Sequence, residues 1–267
     1  MTAITNGDIY LCAMTNEMTA EELKSYLDFK AEQYENTDFI ETDPIQIPHR
    51  FSKKEDIEIA GFLLSTIAWG NRTMIIKNGN KLMDIMDNDP HEFILNYSPK
   101  ELLFVHRTFN AQDLDFYFRS LQNIYHNHGG LENAFSQHHT IEGMKGRIAN
   151  FRNIFTSIPH EDRSHKHLSN PEKNSACKRI NMFTRWMVRD GKKGVDFGVW
   201  KSIQKSELYL PLDVHTSRNA RDLGLLLRKQ DDWKALEELM GRLREFDPSD
   251  PVKYDFALFG IGAFEKF

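Results

Sequence analysis

A lysine and an aspartate 35 positions apart (213 − 178) offer together a chemistry that neither offers alone. Lys178 heads the segment KRINMFTRWMVR, and Asp213 follows SELYLPL at the point where VHTSRNARDLG begins. A neutral amine attacks an electrophilic carbon, and a carboxylate beside it stabilises the positive charge that develops there. Each residue also has a plain local reading. An aspartate in front of a helix ordinarily caps it, accepting the orphan N–H groups of the first turn. A lysine at the head of an amphipathic helix is ordinarily solvated.

The elements that must position this pair are helices. Apolar spacing predicts an all-α protein, a bundle of roughly ten helices. Thr19 and Glu22 form a capping-box pattern ahead of a helix to about Asn36. Pro44 and Pro48 deny residues 37–51 a helix. Residues 54–69 are apolar over a wide face and read as a buried central helix ended by Gly70. Further helices are expected over 72–86, over 90–95, behind Ser98 with Pro99 in its first turn, and over 111–128 behind Asn110 and Asp113.

Helical spacing resumes over 141–158. The polar stretch PHEDRSHKHLSNP is the clearest break in the chain, and the spacing of His160, His165 and His167 favours a mobile polar loop over a metal centre. Beyond the Lys178 helix and the glycine-punctuated GKKGVDFGVW, helices are expected from Val214 to about Leu223, where Gly224 closes the helix, from about Asp231 to Phe246, and from Pro251 onward.

The chain has 267 residues, 40% hydrophobic and 27% charged, the size and composition of a soluble globular protein with a substantial core. Even AGFLLSTIAWG is only about half of the roughly 20 apolar residues a membrane span needs. The first residues, MTAITNGDIYLCAMTNEM, lack the basic and long apolar regions of a signal peptide, so a cytoplasmic protein is expected. Cys12 and Cys177 are too few for a four-cysteine iron–sulfur cluster and make no disulfide framework. The net charge of −5 argues against a polyanionic partner, but the charge is uneven. Acidic residues gather at 16–43 and 231–255, whereas 145–193 holds twelve lysines and arginines, Lys178 among them.

PLDVHTSRNARDLGL resembles the strand-to-helix segment of the helix-hairpin-helix DNA glycosylase superfamily, and by that resemblance Asp213 takes the position of the catalytic carboxylate. CKRINMFTRWMVR resembles the lysine-bearing helix of the archaeal 8-oxoguanine glycosylase branch, which has a long interval between lysine and aspartate; Lys178 is then the Schiff-base lysine. From 49 to 264 the chain is also similar to a bacterial family known only as a domain of unknown function, with HRF, AGFLLSTIAWGNR, KRINMFTRWMVR, PLDVHTSR, RKQDDW and FDPSDPVKYDFALFGIG in order.

The glycosylase resemblance implies a two-lobed, helix-hairpin-helix glycosylase-like bundle. Residues 1–48 would pack on the C-terminal lobe, 49–160 would form a central lobe, and 161–267 would carry the Lys178 and Asp213 helices; the boundary near 159–171 follows from the polar break. It also implies a damaged base leaving the stack for a pocket. Trp69, Trp186, Trp200 and Phe264 are the candidate walls, with His215 and Arg218 beside them and Ser175, Arg179 and Arg185 toward DNA phosphates. For each of these aromatics, core packing is the more ordinary reading. NPEKNSACK lacks the glycines of the superfamily's phosphate-binding hairpin, leaving helix amides to hold a phosphate, and LLSTI stands where many relatives carry a polar residue.

Three readings stand in order. The first is a DNA base-excision glycosylase and abasic-site lyase acting on damaged duplex DNA, with oxidised purines as substrate. The second is a non-catalytic helical nucleic-acid-binding protein. The third is a protein-interaction or structural helical domain, which the acidic balance favours and which predicts that Lys178, Arg179, Arg185 and Arg218 do not gather around Asp213. No cofactor or metal is expected in any of them.

Overall fold

The computed structural model describes residues 18–137 and 141–265, the side chains of Phe39 and Phe264 excepted; Cys12 lies outside the described residues. The fold is all-α, with one small antiparallel hairpin, β1 (Val105–His106) and β2 (Phe109–Asn110). In chain order the helices are α1 (Ala20–Tyr34), α2 (Asp38–Thr42), α3 (Lys54–Ile67), α4 (Arg72–Ile85), α5 (Pro90–Leu95), α6 (Ala111–Asn127), α7 (Leu131–Ser136), α8 (Gly143–Phe155), α9 (Lys178–Val188), α10 (Val214–Asp222), α11 (Trp233–Phe246) and α12 (Tyr254–Phe264).

The helix starts follow the caps written in the sequence. Thr19 and Glu22 exchange side-chain and backbone bonds as a capping box at α1, and Asn110 and Asp113 do the same at α6. α3 is the axis of the core, burying every residue from Asp56 to Ile67. It lies against α9, with Phe62 and Phe183 edge to face at 5.5 Å. Gly61 lies at this contact, where a Cβ would stand 3.1 Å from the flexible end of Met187. One continuous apolar core runs from Leu27 in α1 to Ile261 in α12.

α12 packs along α1, where Tyr254 Oη donates to Asp28 at 2.9 Å and Lys30 pairs with Glu265 at 2.5 Å. It also holds α10, through Asn219 Nδ2 donating to Leu258 O at 2.6 Å. Beneath these helices Arg189 is buried among Glu35, Asp196 and Asp250, which ties the end of α9 to the end of α1 and to the turn before α12. Among the described residues no helix is long and apolar enough to cross a membrane.

Four stretches differ from the spacing-based reading. Residues 37–51, expected to be denied a helix by Pro44 and Pro48, hold the short α2 ahead of Pro44 and 3-10 turns at Pro44–Gln46 and Pro48–Arg50, where each proline takes a first-turn position that needs no N–H. Residues 98–104 are not helical. Leu102, Phe104 and His106 are buried while Leu103 and Val105 are exposed, the two-residue alternation of a chain entering a hairpin. Residues 131–136, left without an element by the sequence reading, form α7. The polar break at 159–171 is held rather than loose. Residues 162–167 make a 3-10 turn in which Ser164 Oγ donates to Asp113 Oδ1 at 2.6 Å, and Arg163 and His167 approach Asp113 Oδ2 at 3.1 and 3.3 Å. His160 and His165 face each other at 3.0 Å, and among the described residues no group of three or more His, Cys, Asp or Glu is placed to hold a metal ion.

Candidate functional site at the meeting of α9 and α10

Lys178 opens α9 and Asp213 caps α10, and the two helix starts bring Lys178 Nζ to 3.1 Å from Asp213 Oδ2. The chain reaches Lys178 through a sharp bend, since Cys177 is buried and holds φ 51, a left-handed conformation uncommon outside glycine. Asp213 is extended, with Oδ1 accepting from the N–H groups of His215 and Thr216, both at 2.9 Å. The cap therefore occupies one oxygen and leaves the other to the lysine. Burial pushes the Asp213 carboxyl up, but the Lys178 ammonium and the Thr216 N–H outweigh it and hold the group below the ordinary carboxylate value.

The pair stands in a cavity of about 380 Å³, within the range of small-molecule sites, roughly 300–1,000 Å³. Lys178 is 38% exposed and Asp213 17%, so the pair is reachable from solvent. Trp69 and Phe259 supply half-buried aromatic surface to the lining, and Trp186 supplies a buried one. Trp69 is fixed from three sides. The Arg179 guanidinium lies 4.9 Å from its ring, His106 Nε2 is 3.1 Å from its carbonyl oxygen, and the hairpin tip packs beside it. This last contact needs Gly70, which has φ +99 and whose Cβ, were there one, would stand 2.7 Å from Arg107 Nη1. Arg72 lies 5.8 Å from the Phe259 ring.

The cavity also holds buried charge. Arg185 and Asp255, each 4% exposed, form an ion pair there, and Arg185 Nε lies 3.3 Å from Asp196. Burial raises the Asp255 carboxyl to about 6, against the lowering influence of Arg185 and with a further raise from the charge on Asp213. Asp43 joins the lining from the segment before α3. Its Oδ1 accepts from Ile45 N at 3.0 Å, and burial raises this carboxyl too, with Arg72, Arg185 and Lys178 acting in the opposite sense.

Of the residues singled out from sequence, Lys178, Asp213, Trp69, Trp186, His215 and Arg185 share this cavity. Arg185 is buried and committed to carboxylates, which corrects its expected place as a surface contact to phosphate. Trp200 is core: its Nε1 donates to Glu58 at 2.6 Å and its ring packs on Phe135 and Phe183. Arg218 is 61% exposed, lies 3.6 Å from Asp222 and stays off the cavity wall. Ser175 staples the turn before α9, accepting from Cys177 N at 3.3 Å and bridging to Asp232. Arg179 is folded under Trp69 and donates to Thr66 O. The Phe264 side chain lies outside the described ones, although Gly262 and Ala263 before it line the cavity.

Five charged or aromatic lining residues were missed: Asp43, Arg72, Asp255, Phe256 and Phe259. Only Asp255 left a signal, a carboxylate inside the apolar run that ends the chain.

Comparison with curated proteins and with solved structures gives no match. A family profile spans most of the sequence and includes both Lys178 and Asp213. The chain belongs to the family described as protein of unknown function (DUF2400), matched over residues 43–264.

Proposed function

We propose that the protein is a DNA base-excision glycosylase with abasic-site lyase activity, Lys178 acting as nucleophile and Asp213 as the charge-stabilising carboxylate. The observation that carries this reading is the 3.1 Å approach of Lys178 Nζ to Asp213 Oδ2 in a solvent-reachable cavity with aromatic surfaces. The two helices that resemble the glycosylase segments are the two that meet there. A helix cap alone does not require a lysine at the remaining oxygen, and a solvated lysine does not require a cavity.

In this reading a damaged base leaves the stack and enters the cavity. The glycosidic C1′–N bond breaks with its electron pair on the base, while Asp213 stabilises the positive charge on the sugar. Lys178, an ammonium beside Asp213, gives one proton to the departing base; the neutral amine so formed bonds to C1′ and passes a second proton toward Asp213. Opening of the sugar ring leaves an imine, and loss of a C2′ proton then expels the 3′ phosphate. Lys178 and Arg72 place positive charge at the opening of an acidic protein, so binding is expected to weaken steeply with salt. Of the four cations that the protein-interaction reading kept away from Asp213, Lys178 and Arg185 share its cavity, whereas Arg179 lies under Trp69 and Arg218 stays off the cavity wall.

The test is borohydride trapping on duplexes bearing 8-oxoguanine or an abasic site. A covalent adduct formed by the wild type and absent from Lys178→Gln supports the assignment. Absence of adduct and of nicking on both duplexes would reduce Asp213 to a helix cap.

A further inference from the structure

Asp43 is the cavity residue with the least obvious purpose. It caps the 3-10 turn at Pro44–Gln46 through Oδ1, and the cap uses only that oxygen. Among the described residues Oδ2 has no hydrogen-bond donor and no cation within ion-pair distance. Three cations line the same cavity. Lys178 is engaged with Asp213, Arg185 with Asp255, and Arg72 lies by the Phe259 ring. A half-buried carboxylate oxygen without a protein partner is thus left at a cavity whose other surfaces include aromatic rings, able to accept from a ligand there.

We infer that Asp43 reads the donor edge of a guanine-type base held against the aromatic surfaces of the cavity, a specificity role that rests on the glycosylase reading for its place in catalysis. A carboxylate is acceptor-only, so it pairs with an edge offering adjacent donors and repels one offering an acceptor. Guanine and 8-oxoguanine present N1–H and N2–H side by side. Adenine and cytosine place a ring-nitrogen acceptor next to their amino group, and thymine flanks its single N–H with two carbonyls. Asp43 therefore selects the guanine edge and rejects the other three. Trp69 and Phe259 contribute stacking that does not distinguish the bases. The same edge exists in a free nucleoside and in nucleic acid, and the two sources separate experimentally.

Asp43→Asn is the informative variant, because asparagine caps a turn as well as aspartate does while replacing the second acceptor with a donor. The probes are guanosine, 8-oxoguanosine and adenosine, with binding followed by tryptophan fluorescence and saturation-transfer NMR. The expected result is that the wild type binds the two guanine nucleosides at least about tenfold more tightly than adenosine, and that Asp43→Asn removes this preference at an unchanged melting temperature. Equal binding of all three, no binding of any, or an unchanged preference in Asp43→Asn overturns the inference.

Borohydride trapping on an abasic duplex has no base to read, so it reports on Lys178 rather than on base selection. Loss of 8-oxoguanine excision in Asp43→Asn with trapping intact places the readout on nucleic acid. Selective nucleoside binding without any trapping leaves Asp43 as assigned, makes the free nucleoside the ligand, and removes the glycosylase reading.

Discussion

Arg185 donates to Asp255 at the buried end of the cavity whose exposed end is the Lys178–Asp213 pair. The two ion pairs are linked electrostatically, since the Asp213 charge contributes to raising Asp255.

This arrangement predicts a pH-dependent term in stability. Asp255 rises from an ordinary 3.8 to about 6 in the folded protein. The native state therefore holds more protons than the unfolded state between these values. The contribution is fully present below the lower value and is lost as pH rises through the upper one. Urea denaturation of the wild type and Asp255→Asn from pH 4 to pH 7 should show the wild type losing ground to the variant up to about pH 6, with a constant difference above. A difference that is flat throughout, or that moves the other way, would contradict the burial of this carboxyl.

The Arg189 network predicts a stability effect. Arg189 is buried and bonds Glu35, Asp196 and Asp250, so Arg189→Met strips a shared counter-charge from three carboxylates. Removing one partner of a buried ion pair costs roughly 3–5 kcal/mol. A drop of that order in the urea-derived free energy is expected, and a change near zero would show that the carboxylates find other partners.

The contact of α1 with α12 depends on a glycine. A Cβ on Gly260 would stand 2.1 Å from Cδ2 of the Tyr34 ring, too close for a rigid aromatic to accommodate. Gly260→Ala is expected to destabilise by about 1–3 kcal/mol, the usual cost of overpacking. Gly241→Ala, with open space at that position, serves as the control that should not destabilise.

Asp113 predicts local dynamics. It is fully buried and receives Ser164 and Arg163 from the 162–167 turn while completing the capping box of α6. Asp113→Ala should raise amide exchange over residues 160–168 by about tenfold or more, ahead of the rest of the chain. Exchange that rises uniformly would mean that the turn is held by the core and not by this carboxylate.

The parts of the fold that were legible in the sequence are those set by local rules. Thr19 with Glu22, Asn110 with Asp113, and Asp213 each mark a helix start in the residues themselves, and α1, α6 and α10 begin where they say. Residues 98–104 misled because Ser98 and Pro99 imitate a helix start, and because Leu102, Leu103, Phe104 and Val105 are all apolar, so that the alternation of their burial leaves no mark in the sequence. In the cavity, Lys178 and Asp213 were visible through their segments, whereas Asp43, Arg72 and Phe259 arrive from three other elements and carry no local mark. Arg185 and Trp200 looked like surface and pocket residues because the carboxylates that bury one, and Glu58 and Phe135 that enclose the other, are distant in sequence.

The most direct test of the central claim is to trap the wild type on an abasic duplex with borohydride, digest the adduct, and locate the modified residue by tandem mass spectrometry. A single reduced sugar adduct on Lys178 Nζ is expected, lost in Lys178→Gln and strongly diminished in Asp213→Asn. An adduct on another lysine, or none under conditions in which a control lyase is trapped, would contradict it.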